Sequence, residues 1–394
     1  MWINLLCGII ALMVAIGLGR FVYTPMIPIM IEQAHVSVQT AGFIASINYV
    51  GYMIGALTPL FWSGEGVRQN AIRAGLVMTV LGFLLMSVSI PSTHDSGVSL
   101  LQLSVWGAAR LINGIGSAWI LINVSSILLQ RLALAGRLSL MGWIYAGIGL
   151  GALVGTWSVK AFDALELSWR QDWRYLALLS FALAVPVWWV ITEPKADAAD
   201  HAGQVSPRFS DINEPMVWAL AAAYACKGFS YIIVMTFLPL MLNDATGIAS
   251  HSWTVLLLVS IPSTMCWGWL SAIFGNIRCL KLAFALQMCG VLSPVFIPGS
   301  TGILMCAILV GATFLGIVTM SLAQAQLIKP HASTMTMGLI TGVYSVGQFI
   351  GPGFAGWLAQ ISGHFQHALG FSGVLLFVGV FLLGCVHRLY LKQA

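Results

Sequence analysis

The stretch "VAIGLGRFVYTPMIPIM", residues 14–30, decides the fold, because it is apolar enough to cross a membrane and yet carries Arg20. Placing an arginine at the centre of a membrane helix costs about 2.5–3.5 kcal/mol on insertion scales, so the charge needs a use. The apolar run around it extends from Trp2 to Ile31 with no basic residue ahead of it. A secretory signal has a basic start and an apolar core of only about 7–15 residues, so this run reads as a first spanning helix.

The rest of the chain agrees with that reading. Of 394 residues, 59% are hydrophobic and 7% charged, with a mean hydropathy of +0.92. Soluble domains carry about 25% charged residues, so the composition is that of a multi-pass membrane protein. The net charge of +5 is dispersed over short loops, which suits membrane orientation and gives no nucleic-acid partner. Seven cysteines, an odd number, show no CxxC pair and no metal-ligand spacing. They read as reduced packing residues, with no metal and no cofactor expected.

A spanning helix needs about 20 apolar residues. Twelve such runs can be marked, near 3–31, 38–62, 72–90, 98–129, 138–161, 174–192, 215–242, 252–274, 281–298, 302–326, 335–360 and 370–391. The long polar stretch, "EPKADAADHAGQVSPRFSDINEP" (193–215), lies between the sixth and seventh runs and holds five of the twelve acidic residues. It divides the chain into an N-terminal six-helix bundle (1–192), a linker (193–214) and a C-terminal six-helix bundle (215–394). The loops on the side of the linker and termini hold Arg68, Arg73, Arg131, Arg137, Lys195, Arg208, Arg278, Lys281, Lys329, Arg388 and Lys392. The opposite loops hold Arg170, Arg174 and Lys160. By the positive-inside rule, linker and termini are expected in the cytoplasm. The two halves echo each other: "GRFVYTPMIPIM" (19–30) corresponds to "GFSYIIVMTFLPLM" (228–241). Secondary transporters are built from such repeats, with the substrate site expected between them near mid-membrane.

With these features the chain resembles the major facilitator superfamily over its whole length. "RLINGIGSA" (110–118) is similar to the superfamily's helix 4 motif, and "GQFIGPGFAG" (347–356) to its GxxxGPxxxG packing motif; "GWIYAGIGLGALVG" (142–155) is a proline-free version of the latter. The signature GRFxYTPxxP resembles a bacterial subgroup, which implies the inner membrane. There is one departure: in "GWLSAIFGNIR" (268–278), Ala272 and Ile273 stand where the superfamily's loop motif has an Asp-Arg pair, and after helix 2 only "GEGVR" (64–68) remains. The resemblance implies an all-α fold of twelve transmembrane helices in two pseudo-symmetric bundles, working by alternating access.

Arg20, Arg110 and Lys227 are the ionisable residues expected at depth, and every carboxylate falls in a loop or at a helix end. An intramembrane charge normally pairs with an opposite one, and the simplest counter-charge is an anionic substrate. A guanidinium grips a carboxylate with a planar fork, and an ammonium meets it as a point charge. Polar residues share the cations' helix faces: Tyr23 and Thr24 with Arg20, Asn113 and Ser117 with Arg110, Ser230 and Tyr231 with Lys227. Asn48, Tyr49, Tyr52, Tyr145, Gln324, Tyr344 and Gln348 complete the expected lining, although for any one of them a helix–helix hydrogen bond is an alternative. Lys227, or Glu32 at the exit of helix 1, is the candidate for coupling. The expected function is secondary transport or exchange of a small organic anion by a monomer in the bilayer. The alternative is export of amphipathic drugs, for which the 11% aromatic content speaks; a sensor or a membrane enzyme finds less support, since no P-loop, HExxH or GxSxG is present.

Overall fold

The structure, a computed structural model, describes residues 2–61, 66–90, 98–191, 208–238, 241 and 251–393. Among the described residues there is no strand, and twelve long helices account for most of the chain. They are α1 (Trp2–Ala34), α2 (Val38–Leu57), α3 (Val67–Met86), α4 (Leu100–Leu134), α5 (Met141–Ala164) and α6 (Trp169–Val190). They continue as α7 (Pro215–Phe237), α8 (Ser252–Phe274), α9 (Asn276–Phe296), α10 (Ser300–Ile328), α11 (Ser333–Ser362) and α12 (Gln366–Gln393). Eleven are long and apolar enough to cross a membrane. The twelfth, α11, buries Thr336, Thr341, Ser345 and Gln348, which lowers its apolar content. Most of the linker read at 193–214, and Pro239 and Leu240 of the helix 7 echo, lie outside the described residues.

α1 is not uniform. α-Helical turns at Trp2–Leu12 and Tyr23–Ala34 flank a π-helical segment, Met13–Phe21, that carries Arg20. The widened turns stand just ahead of Pro25, which has no N–H to offer the carbonyl of Phe21 four residues back. Single π-turns recur at functional sites, and here the segment sets the direction of the arginine.

The chain folds as two compact units, Met1–Ile127 with Leu150–Ser206, and Leu128–Gly149 with Pro207–Ala394. In the first unit α6 packs on α3 and α1. Close crossings rest on glycine. A Cβ on Gly17 would stand 2.5 Å from the Cα of Gly151, so α1 and α5 touch backbone to backbone. A Cβ on Gly51 would lie 2.1 Å from the Leu111 carbonyl oxygen, and one on Gly114 2.2 Å from that of Asn48. Gly51 and Gly114 therefore bring α2 against α4 at the level of Arg110. In the second unit α7 packs on α11 and α12, and α10 on α8 and α9. There Gly228 admits the Tyr344 carbonyl, which a Cβ would approach to 2.5 Å.

One expectation is met with an added feature, and one needs correction. Asp172, expected as a carboxylate at a helix end, does lie in the first turn of α6, but it is fully buried and neither carboxylate oxygen has a hydrogen-bond partner. The start of α6 is docked rather than solvated: Gln33 at the end of α1 accepts from the Trp169 backbone N–H at 2.7 Å, and Trp169 and Trp173 enter the apolar core. Of the cysteines, Cys7, Cys279 and Cys306 are buried packing residues, whereas Cys266 and Cys289 face outward. On a spanning helix the outward face meets lipid, where a thiol is tolerated as a small hydrophobe.

Candidate functional site

The first unit gathers two guanidiniums from separate helices. Arg20 of α1 is 5% exposed, and its Cζ lies 4.6 Å from the ring centroid of Tyr49 and 4.7 Å from that of Tyr52, both on α2. Arg110 of α4 is 2% exposed, with Cζ 4.5 Å from the ring centroid of Tyr23 on α1. Its Nη1 donates to the Gly19 carbonyl at 3.1 Å, immediately before Arg20. Asn48 donates from Nδ2 to the Arg110 carbonyl at 2.9 Å, and Tyr23 donates from its hydroxyl to the Ala41 carbonyl at 3.0 Å. Ring faces attract a buried cation by about 2 kcal/mol or more. They do not neutralise it, because the attraction comes from a quadrupole and not from a net charge. The π-helical turn, the glycine crossings and three tyrosines thus hold two full positive charges in one buried region.

Asn113 completes this group. It is fully buried, both of its side-chain amide atoms lack a hydrogen-bond partner, and a Cβ on Gly82 would come within 2.7 Å of its Cγ. Buried amides almost always find partners, so this one is an exception. Thr24 is half-buried one residue beyond Tyr23, and Ser117 donates to the Gly114 carbonyl at 2.8 Å, a bond within its own helix.

The second unit builds a different pocket around Lys227 of α7, which is fully buried. Its Nζ lies 3.8 Å from the ring centroid of Tyr231, 5.0 Å from Tyr344, 5.9 Å from Tyr224 and 6.0 Å from Phe314, and it donates to the Tyr344 hydroxyl at 3.4 Å. The four rings are nearly parallel. Tyr224 and Tyr344 stack at 4.1 Å, Tyr344 and Tyr231 at 5.9 Å, and Tyr231 and Phe314 at 5.9 Å. Gln348 donates to both the Tyr231 and the Tyr344 hydroxyls and fixes their orientation.

Of the residues expected at the site, Arg20, Tyr23, Asn48, Tyr52, Arg110 and Asn113 come together in the first unit, and Lys227, Tyr231, Tyr344 and Gln348 in the second. Gln324 does not join the Lys227 group; its Oε1 accepts from Asn276 at 2.9 Å, a bond between α10 and α9. Tyr145 is buried in α5, within the second unit. Glu32 is exposed in the last turn of α1. Tyr224 and Phe314 fall outside the expected lining. Tyr224 lies three residues before Lys227, on the same helix face, so the spacing rule applied backwards finds it; Phe314, on another helix, leaves no such signal. Among the described residues no three His, Cys, Asp or Glu side chains gather as a metal site.

The family model described as "Uncharacterised MFS-type transporter YbfB" matches residues 12–383. No curated protein matches the chain in sequence. Among solved structures, the crystal structure of a bacterial homologue of the iron transporter ferroportin, in its outward-facing state, aligns with a TM-score of 0.73 and 13% identity, over 98% of this chain and 99% of that one. That likeness shows the fold.

Proposed function

The chain belongs to this family of MFS-type transporters, and from that premise we propose that it carries a small organic anion by alternating access. The observation that carries the reading is the pair Arg20 and Arg110, buried on tyrosine faces beside the open amide of Asn113. Two guanidiniums whose planes are held by rings are pre-oriented, and a carboxylate is the group that a planar fork grips with two parallel bonds. Asn113 adds a donor and an acceptor, which suits a hydroxyl or a second oxygen on the ligand. In this reading the membrane is the bacterial inner membrane, the termini are cytoplasmic, and Lys227 is the candidate coupling residue.

The test is a thermal-shift screen of the purified protein against small organic acids, followed by counterflow in proteoliposomes. A ligand at 100 times its dissociation constant stabilises by about 2.7 kcal/mol, a shift that melting resolves. Arg20→Lys keeps the charge and loses the fork, so it is expected to weaken the best acid by about tenfold or more, equivalent to at least 1.4 kcal/mol. If no acid stabilises the protein, or if Arg20→Lys binds as well as the parent, the anion reading fails.

The ring stack around Lys227 favours a second reading, export of amphipathic aromatic compounds. Its ammonium already fills the cage, so a cationic drug competes with a resident cation. Stabilisation by cationic dyes, undiminished in Arg20→Lys, is the result that selects this alternative.

A further inference from the structure

A groove of about 410 Å³ runs along the outer face of the first unit between α3 and α6. Leu76, Val77, Val80 and Leu81 line one side, and Phe181, Ala184, Val185, Trp188 and Trp189 line the other. It opens away from the core, since Val77 is 44% and Trp189 73% exposed. From Phe181 to Trp189 it extends about 12 Å at 1.5 Å per residue, close to the roughly 15 Å that one leaflet of hydrocarbon spans.

One end of the groove is charged. Arg73 lies one turn before Leu76 and Val77 on α3. Its Nε and Nη2 both donate to the Trp188 carbonyl at 3.3 Å, and its Cζ lies 5.3 Å from the Trp188 ring centroid. The carbonyls of a helix's last turn lack partners within the helix, so these bonds cap the end of α6. They use two of the five guanidinium N–H donors and hold the remaining edge beside the groove's mouth.

We propose that the groove binds an anionic glycerophospholipid, with one acyl chain between α3 and α6 and the phosphate on Arg73. The walls are wholly apolar, as an acyl chain requires, and a guanidinium meets a phosphate with short, charge-assisted bonds. Basic pockets between membrane helices recognise anionic head groups on this principle. A zwitterionic lipid gains less: none of the lining residues is acidic, and the Trp188 face that would attract a choline already carries Arg73.

The test incubates the full-length detergent-solubilised protein with equal amounts of phosphatidylglycerol and phosphatidylcholine bearing the same chains, and counts retained lipids by native mass spectrometry. One phosphatidylglycerol is expected to be retained about tenfold over phosphatidylcholine, equivalent to about 1.4 kcal/mol, because both offer Arg73 a phosphate and only choline sets a second cation beside it. Arg73→Gln is expected to erase that preference, and Val77→Trp, which fills the groove without touching the cap, to reduce retention of both lipids. Because Arg73 also caps α6, Arg73→Lys and Val77→Trp decide the matter if Arg73→Gln does not fold; Arg73→Lys is expected to keep part of the preference. Equal retention of the two lipids overturns the proposal. So does phosphatidylglycerol retention that Val77→Trp leaves unchanged, or its displacement by excess glycerol phosphate, which marks a site for soluble phosphate.

Discussion

An ammonium lying on ring faces is attracted to them yet remains a full charge removed from water, and Lys227 measures the balance of those two effects. Desolvating an ion costs several kcal/mol, while a desolvated cation–π contact returns about 2 kcal/mol. Lys227→Met keeps most of the stem and deletes the charge, so it is expected to melt at or above the parent temperature. Lys227→Ala empties the cage and is expected to cost about 2–5 kcal/mol, as large-to-small changes in cores do. Thermal unfolding of both variants in one detergent decides; a strongly destabilised methionine variant identifies the cage as a structural cation site. Asp172 is the opposite case, a buried carboxylate whose oxygens have no hydrogen-bond partner. Asp172→Asn is isosteric and uncharged, so it is expected to raise the melting temperature, because burying a charge costs more than burying an amide. A fall shows that the carboxylate stabilises the start of α6. The Lys227 cage is partly legible in the sequence, because Tyr224 and Tyr231 lie three and four residues away on its own helix. Tyr344 and Phe314 reach Lys227 from other helices, as Tyr49 and Tyr52 reach Arg20 and Tyr23 reaches Arg110, and no spacing rule orients them. The burial of Asp172 is not legible, because a charge in a first helical turn is usually solvated, and spacing does not announce that this turn docks through Trp169 onto Gln33.

At the scale of elements, the twelve apolar runs locate the helices and misjudge their ends. The third run starts at 72 and its helix begins at Val67; the sixth starts at 174 and its helix begins at Trp169. The cause is the same in both. Arg68 and Arg170 count against a hydrocarbon span, but a helix continues into the interface, where charged residues are cheap. The π-helical segment of α1 is not legible, since Pro25 announces a disturbance without saying how the preceding turns absorb it. The helix crossings are testable. Gly17→Ala is expected to destabilise by about 1–3 kcal/mol, because its methyl meets the Gly151 backbone and overpacking has that cost. Gly384→Ala meets nothing within 4 Å and is expected to stabilise α12 by up to about 1 kcal/mol through helix propensity. If the two variants melt alike, the α1–α5 crossing is looser than the backbone contact implies.

At the scale of the molecule, hydropathy anticipates the helices, and the resemblance of "RLINGIGSA" (110–118) and "GQFIGPGFAG" (347–356) to superfamily motifs anticipates the fold of an MFS-type transporter. Substrate is not legible to the same degree, because composition specifies a solvent and a helix count, whereas recognition depends on a few side chains meeting across helices. Orientation rests on loop charge. Reporters fused within 193–214 and after Ala394 are expected to give cytoplasmic signals, and a periplasmic signal at either place breaks the even helix count. The buried guanidiniums carry one more consequence, electrical in kind. Arg20 and Arg110 cannot shed their protons, so they are permanent charges inside the field of an energised membrane. Moving one elementary charge across it is worth about 2.3 kcal/mol per 100 mV. Any stroke that shifts α1 or α4 through the field therefore does electrical work, and a bound monoanion lowers by one the charge being moved. The return of the empty carrier, which moves two charges where the loaded carrier moves one, is then the more voltage-dependent step. In proteoliposomes, an imposed potassium-diffusion potential is expected to alter net uptake more than one-for-one exchange.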